Sequence, residues 1–347
     1  MLMTAILVMF AVAGLGLIAS GGVLGRRAFV VALAPMVVAA VWLAMKWSMV
    51  VGGQPVSEGF SWVGALHLRV DLRLDGFALT MSLIIVLVGI GVLIYAASYF
   101  APDARDLGRL AGLLVLFGGS MLGLVQADNL LLLYTCWELT SITSFLLIGN
   151  RHTESRARAA ALHALLITGA GGLAMLGGLV IIGNETGTYR ISELVQHPPA
   201  ASTAMTVAIV LILIGAFTKS AQYPFHAWLP GAMAAPTPVS AYLHSATMVK
   251  AGVVLVARFA PVFAATGVWR PLVLGTGCCT LVFGGLRALR QHDLKLLLAF
   301  GTVSQLGLLM VLFGAGTPEA ATAGWELLVA HAAFKAALFM IVGIIDH

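Results

Sequence analysis

Long apolar runs dominate the chain. Read from one charged or Pro/Gly-marked break to the next, they cover 3–20, 28–51, 76–99, 109–126, 128–149, 157–183, 204–230, 238–260, 268–290, 294–313 and 322–346. A bilayer core takes about 20 apolar residues per helical crossing, so these eleven runs predict eleven transmembrane helices. The segment 52–75 is too polar to cross. Its alternation in Leu66-His67-Leu68-Arg69-Val70-Asp71-Leu72-Arg73-Leu74 has the two-residue period of an extended strand and predicts a short surface hairpin. The first run is apolar enough to resemble a signal peptide. No basic segment precedes it, however, and Arg26 and Arg27 follow it, which predicts a retained span.

Composition agrees with that pattern. Of 347 residues, 60% are apolar and 10% charged, against about 25% charged in ordinary soluble domains. Mean hydropathy is +1.01. So little polar surface cannot cover a soluble protein, and it excludes collagenous, disordered, disulfide-stapled and nucleic-acid-binding classes. The expected fold class is an all-α polytopic membrane protein. Cys136, Cys278 and Cys279 all lie inside apolar stretches and form no secreted disulfide framework.

The net charge of +5 comes without any basic run, so it reads as topology charge. Threading the spans alternately places ten cations on one side: Arg26, Arg27, Arg105, Arg109, Arg151, Arg156, Arg158, Arg287, Arg290 and Lys295. Six fall on the other: Lys46, Arg69, Arg73, Arg190, Arg258 and Arg270. Positive residues concentrate in the cytoplasm. That predicts a cell (cytoplasmic) membrane protein with an extracytoplasmic N-terminus, an N-terminal three-helix region over 1–108 and an extracytoplasmic hairpin at 52–75.

The three remaining cations of nineteen, Lys219, Lys250 and Lys335, sit inside spans, as does Glu138. An ionisable group at the bilayer centre costs about 2.5–3.5 kcal/mol on the insertion scale and marks function by default. The plainer alternative is a set of structural ion pairs, but one acid against three lysines argues against simple pairing. Pro224 interrupts Thr218-Lys219-Ser220-Ala221-Gln222-Tyr223-Pro224-Phe225-His226-Ala227-Trp228-Leu229-Pro230, where it removes an N–H and clashes with the carbonyl of residue 220. A plain proline kink is one reading. A helix break whose freed carbonyls lie beside Lys219, at a negative helix C-terminus, is the sharper one. His331 and Lys335 are i, i+4 neighbours on one helix face. Ser240, His244 and Thr247 fall on one stripe that could hold water. His244 and His331 are candidates for proton transfer, since imidazole ordinarily titrates near about 6.5. His163, His226 and Lys295 are secondary candidates. Gly169-Ala170-Gly171-Gly172-Leu173-Ala174 matches a dinucleotide fingerprint in letters only, and Gly171/Gly172 read as helix-packing residues. No metal-ligand spacing, Walker motif or nucleophile elbow is present, and neither cofactor nor metal is expected.

The stretch from Phe217 to Pro230, followed by Ala235-Pro-Thr-Pro-Val-Ser-Ala-Tyr-Leu-His-Ser-Ala-Thr-Met-Val-Lys-Ala-Gly252, resembles the signature of the antiporter-like membrane subunits. That superfamily holds the proton-pumping membrane subunits of respiratory complex I and the Mrp-type Na⁺/H⁺ antiporters. Trp137-Glu138-Leu139-Thr140-Ser141, Asp293-Leu294-Lys295, Ser304-Gln305-Leu306-Gly307 and His331-Ala-Ala-Phe-Lys335 also match it, from about residue 70 onward. Lys250 in its Thr-Met-Val-Lys context and Gly187-Thr-Tyr-Arg-Ile-Ser-Glu-Leu194 lean towards the MrpA type of Na⁺/H⁺ antiporter component. Gly231 and Ala234 stand where the family pattern carries acids.

The resemblance implies inverted five-helix repeats with a broken seventh helix, 109–260 forming the first repeat and 268–347 an incomplete second. It implies a proton-translocating subunit of a multisubunit Na⁺(cation)/H⁺ antiporter, a transporter rather than an enzyme. Other membrane subunits, H⁺ and Na⁺, and the lipid bilayer would be its partners, with no nucleic acid. Glu138 and Lys219 would form a switchable pair. A nearby carboxylate stabilises the ammonium, and separation eases proton release, because opposite charge and desolvation act on it in opposite senses. The proton would pass to Lys250, His331 and Lys335, with His244 as the cytoplasmic connection. A proton-pumping subunit of complex I or a membrane-bound hydrogenase, and a non-transporting structural subunit, are the alternatives. Family members continue past Gly343-Ile-Ile-Asp-His347, so the chain is expected to be a fragment or a truncated product.

Overall fold

The computed structural model describes residues 1–63, 68–101, 104 and 106–346. Leu66 and His67 of the expected strand, and Arg105 of the cation-rich side, lie outside the described residues. The helices are α1 (Leu2–Ala19), α2 (Arg27–Val51), α3 (Gly76–Tyr99), α4 (Leu107–Gln126), α5 (Leu130–Ile148), α6 (Ser155–Thr186), α7 (Ile191–Gln196), α8 (Thr203–Lys219), α9 (Trp228–Gly231), α10 (Thr237–Ser245), α11 (Ala251–Phe263), α12 (Trp269–Ala288), α13 (Leu294–Gly314) and α14 (Pro318–Ile345). Among the described residues, ten segments are long and apolar enough to cross a bilayer, α10 and α11 counting as one. An eleventh apolar helix, α8, is shorter. The chain is therefore an all-α polytopic membrane protein, as the apolar runs predict.

Polar side chains at the run boundaries explain where several helices begin. The Asp75 carboxylate accepts from Ala78 N at 2.8 Å and opens α3. Asn129 accepts from Leu131 N and Leu132 N at the start of α5. Ser202, Asp293 and Thr317 cap α8, α13 and α14 in the same way. Each satisfies N–H groups that a helix start leaves without partners.

The polar segment forms strands β1 (Val56–Val63) and β2 (Leu68–Leu74), antiparallel, with Val56 opposite Leu74 and Phe60 opposite Val70. The hairpin is docked on the helix ends. Asp128 N donates to Asp71 O at 2.8 Å, Ile191 N to Asp128 O at 2.9 Å, and Leu130 N to Tyr189 O at 2.8 Å. The Arg258 guanidinium grips both oxygens of Asp75 at this same end. At the opposite end Arg26 Nε donates to Phe100 O at 2.5 Å. Lys295 Nζ there donates to Met233 O at 3.2 Å and Ala235 O at 3.0 Å. Segments that alternate threading assigns to one side thus meet at one end.

Among the described residues, two crossings are interrupted. α8 stops at Lys219, one turn earlier than the proline alone requires. Ala221 follows in the left-handed region with φ of +49°, and Pro224 comes next, after a cis Tyr223–Pro224 bond. Short turns, Phe225–Ala227, α9 and Ala232–Ala234, complete the crossing. The run expected as one helix over 238–260 is also broken. α10 ends at Ser245, and Thr247 takes φ −127° and ψ −96°. A single 3₁₀ turn, Met248–Lys250, then leads into α11. Thr247 Oγ donates to Tyr242 O at 2.6 Å, so it leaves the stripe that Ser240 and His244 share.

Candidate functional site

Among the described residues, the buried lysines and histidines collect at the two breaks and on the helices packed around them. Lys219, at the C-terminal tip of α8, is fully buried. Its ammonium donates to Ser141 Oγ at 2.6 Å and to Trp137 O at 3.0 Å, both on α5. It also stands 5.1 Å from the centre of the Trp137 ring. The carbonyls released by the break do not hold it. Phe217 O accepts from Gln222 N at 2.8 Å, and Thr218 O accepts from Trp228 Nε1 at 2.9 Å. The expected site of freed carbonyls beside the lysine is therefore corrected: they are taken by their own loop, and Lys219 reaches across to α5.

Glu138 lies beside these groups but does not hold the lysine. Among the described residues it makes no ion pair within 4.0 Å, although Lys219 is near enough to act on it electrostatically. Its Oε1 is buried without a hydrogen-bond partner, as is the Trp137 indole N–H. The two groups expected as a pair are thus present side by side in a separated arrangement.

The second break carries Lys250 into the interior. Its ammonium donates to Leu328 O of α14 at 2.9 Å. On α14, Lys335 donates to Leu298 O of α13 at 3.1 Å. Gly301 keeps space open for it, since a Cβ there would come within 3.0 Å of the ammonium. His331 is buried and within electrostatic reach of both lysines. Among the described residues neither of its ring nitrogens has a partner. The structure therefore assembles Lys250, His331 and Lys335 into one cluster. Lys219 connects to it through its neighbour: Ser220 Oγ donates to Val249 O at 2.6 Å, tying one helix break to the other.

His244 is likewise buried with both ring nitrogens unpartnered among the described residues. It lies between Trp228 and Phe339, at ring separations of 6.3 and 6.4 Å, and within electrostatic reach of Lys295. Lys295, tied to Met233 O and Ala235 O, stands at the end of the molecule where α13 begins. The other two histidines lie elsewhere. His163 is exposed on α6. His226 stacks on Tyr223 and packs against Phe283 of α12.

Several partners of the buried lysines were invisible to residue-type reasoning. Trp137 O, Leu328 O and Leu298 O are backbone atoms, and no side-chain identity marks them. Ser141 had a signal: it lies one turn from Trp137 in the matched Trp137–Ser141 stretch. Among the described residues no group of three or more His, Cys, Asp or Glu could hold a metal ion.

Interrupted membrane helices with buried lysines at the interruptions define an antiporter-like membrane protein. The family described as "NADH:quinone oxidoreductase/Mrp antiporter, TM" matches residues 127–347, and the chain belongs to it. A second family, the N-terminus of chain 5 of NADH-ubiquinone oxidoreductase (complex I), matches residues 60–107. The chain is 50% identical over 304 residues to a probable K⁺/H⁺ antiporter A/B component of Rhizobium meliloti, covering 86% of this chain and 30% of that protein. It is 44% identical over 333 residues to a putative antiporter subunit mnhA2 of Staphylococcus epidermidis, covering 91% of this chain and 42% of that protein. The chain thus spans less than half the length of these relatives. A solved Mrp complex from Dietzia matches with TM-score 0.89 and 38% identity, covering 98% of this chain and 38% of the solved one. A membrane-bound sulfane sulfur reductase, an archaeal respiratory complex, shares the fold with TM-score 0.87 at 23% identity, covering 99% of this chain and 70% of that one.

Proposed function

We propose that the chain is a proton-translocating part of a multisubunit cation/H⁺ antiporter, working with other membrane subunits. The observation that carries this reading is the row of buried lysines at and beside two linked helix breaks, with Glu138 close to the first. Three ammonium groups buried in the membrane segments, with no ion pair among the described residues, mark a functional path by default, and a path whose charges come and go suits groups held by neutral acceptors. Lys219 bonded to Trp137 O and Ser141 Oγ is the separated state of a switchable pair. Return of the Glu138 carboxylate would stabilise the ammonium, and its withdrawal would favour proton release to the interior. The Ser220–Val249 link leads from Lys219 to the cluster of Lys250, His331 and Lys335. Buried polar atoms without protein partners call for water, so His331 and His244 mark where water completes the route. His244 and Lys295 connect it to the end of the molecule read as cytoplasmic.

Relatives named as K⁺/H⁺ antiporter and antiporter subunits support cation exchange for protons; Na⁺ is the exchanged cation under the MrpA reading. We assign 109–260 to a first repeat and 268–347 to the start of an inverted second one. The antiporter reading is favoured over a redox-driven pump because the more similar relatives are antiporter subunits.

The test is antiport in vesicles containing the assembled complex. Lys219→Ala and Glu138→Ala are expected to abolish cation-driven proton movement without loss of assembly. Lys219→Arg, which keeps charge but cannot usefully deprotonate, is expected to be as inactive as alanine. Activity at the native level in all three would remove the relay and leave a structural role only.

A further inference from the structure

We propose that Gly172 is the seat of the Glu138 carboxylate and so a positioning residue for the Glu138–Lys219 pair. The inference rests on the relay reading and adds a residue to it. α6 packs against both α5 and α8, and it presents Gly171 and Gly172 where the other two carry the pair. Built on Gly172, a Cβ would collide with Glu138 Oε1 and lie 3.4 Å from Trp137 Nε1. Built on Gly171, it would collide with Thr218, the residue before Lys219. The tandem glycines therefore receive one side chain from each arm of the switch, which goes beyond helix packing.

The seat explains the separated state. Glu138 Oε1 is buried against α6 with no hydrogen-bond partner among the described residues, next to an equally unpartnered indole N–H. An acceptor and a donor held short of bonding make a shallow resting place, one the carboxylate can leave. Two titratable groups act on Glu138: Lys219 from α8, and Tyr134 one turn away on α5. With a methyl group at position 172 the oxygen cannot rest there, and the attractive alternative is Lys219. The closed pair would persist, and Lys219 would hold its proton.

Gly172→Ala in the assembled complex is compared with Gly169→Ala, three residues earlier on α6, where nothing lies within 4 Å of a Cβ. Gly169→Ala is expected to behave as the native complex. Gly172→Ala is expected to lower antiport turnover about tenfold or more, the scale of a misplaced reacting group, and to move the antiport pH profile to higher pH. Adding Glu138→Asp, one methylene shorter, should restore part of the turnover or, if Gly172→Ala does not assemble, the assembly. Gly172→Ala matching Gly169→Ala, or a defect that Glu138→Asp does not relieve, overturns the seat. Glu138→Gln separates the two levels. If it abolishes antiport while Gly172→Ala is native, the seat alone fails; if it is native, the relay reading fails with it.

Discussion

A buried ammonium needs acceptors, and Lys219 finds one hydroxyl and one carbonyl on a neighbouring helix. Ser141 is therefore expected to matter almost as much as Glu138. Charge-assisted hydrogen bonds contribute about 1.5–3 kcal/mol, and Ser141→Ala leaves the ammonium one acceptor short. Antiport should fall, while Ser141→Thr, which keeps a hydroxyl, should retain most of it; equal losses in both would mean that the hydroxyl does not hold the lysine. A different balance holds at Asp75, where α3 leaves the hairpin. Burial pushes its carboxyl up, but the Arg258 guanidinium and the Ala78 N–H outweigh burial and hold it below the usual carboxylate range. A depressed acid contributes stability that is complete above the unfolded value near about 4 and fades as pH falls through the folded value. Asp75→Asn keeps the capping oxygen and removes the charge. It should cost about 1–2 kcal/mol, read as a lower unfolding temperature in detergent, equal at pH 7 and pH 9. The gap to the native protein should close below about pH 4.

Helix breaks were legible only where proline writes them. Pro224 announces the first, and the structure has it, although the helix stops earlier because Ala221 turns into the left-handed region. The second break, at Thr247, has no such letter: Pro238 and Pro261 lie near the ends of 237–263, and the polar residues of its middle, His244, Ser245, Thr247 and Lys250, are all compatible with an unbroken helix. What opens it is a hydroxyl bonding its own chain, Thr247 to Tyr242 O, and one from elsewhere, Ser220 to Val249 O. Periodicity reports how a segment meets lipid, so interruptions supported by neighbouring helices escape it. The ten membrane-length segments, the shorter apolar α8 and the hairpin were legible because the bilayer imposes a length and a polarity on each. The positions of Lys219, Lys250 and Lys335 were legible because charge in that setting is rare. Their acceptors were not, being mostly backbone. Ala221 allows a test at this scale. A left-handed residue other than glycine costs about 1–2 kcal/mol, and a β-branched one is excluded more strongly. Ala221→Val should reduce assembled complex on a native gel, and Ala221→Gly should not. Equal tolerance of both would mean that the break does not depend on this turn.

Over the whole molecule, two unlike ends enclose a common interior. One is sealed by the hairpin: Leu72 bridges to Ala127, Asn129 to Arg190, and Asp71 holds Arg69 and Arg190. Arg73, Arg258 and Asp128 line a cavity of about 410 Å³ there. The other end carries most of the loop cations, including Arg151 beside Glu154 and Lys295, at the start of α13, bonded to Met233 O of the turn after the first break. Under the proposed relay, proton flow through such a body has a direction only if its ends face different compartments, so sidedness is part of that proposal. By the positive-inside rule the excess of cations is expected to put the second end in the cytoplasm. That assignment is checked with single cysteines after Cys136, Cys278 and Cys279 are changed to alanine. Ser57→Cys, on the exposed strand β1, should react with a membrane-impermeant maleimide in intact cells. Thr153→Cys, on the exposed turn before α6, should react only after the membrane is opened. The reverse pattern would invert the molecule and turn His244 and Lys295 from the cytoplasmic connection into the external one. Every role given to the Lys219, Lys250 and Lys335 row would survive, with the proton travelling along it in the opposite sense.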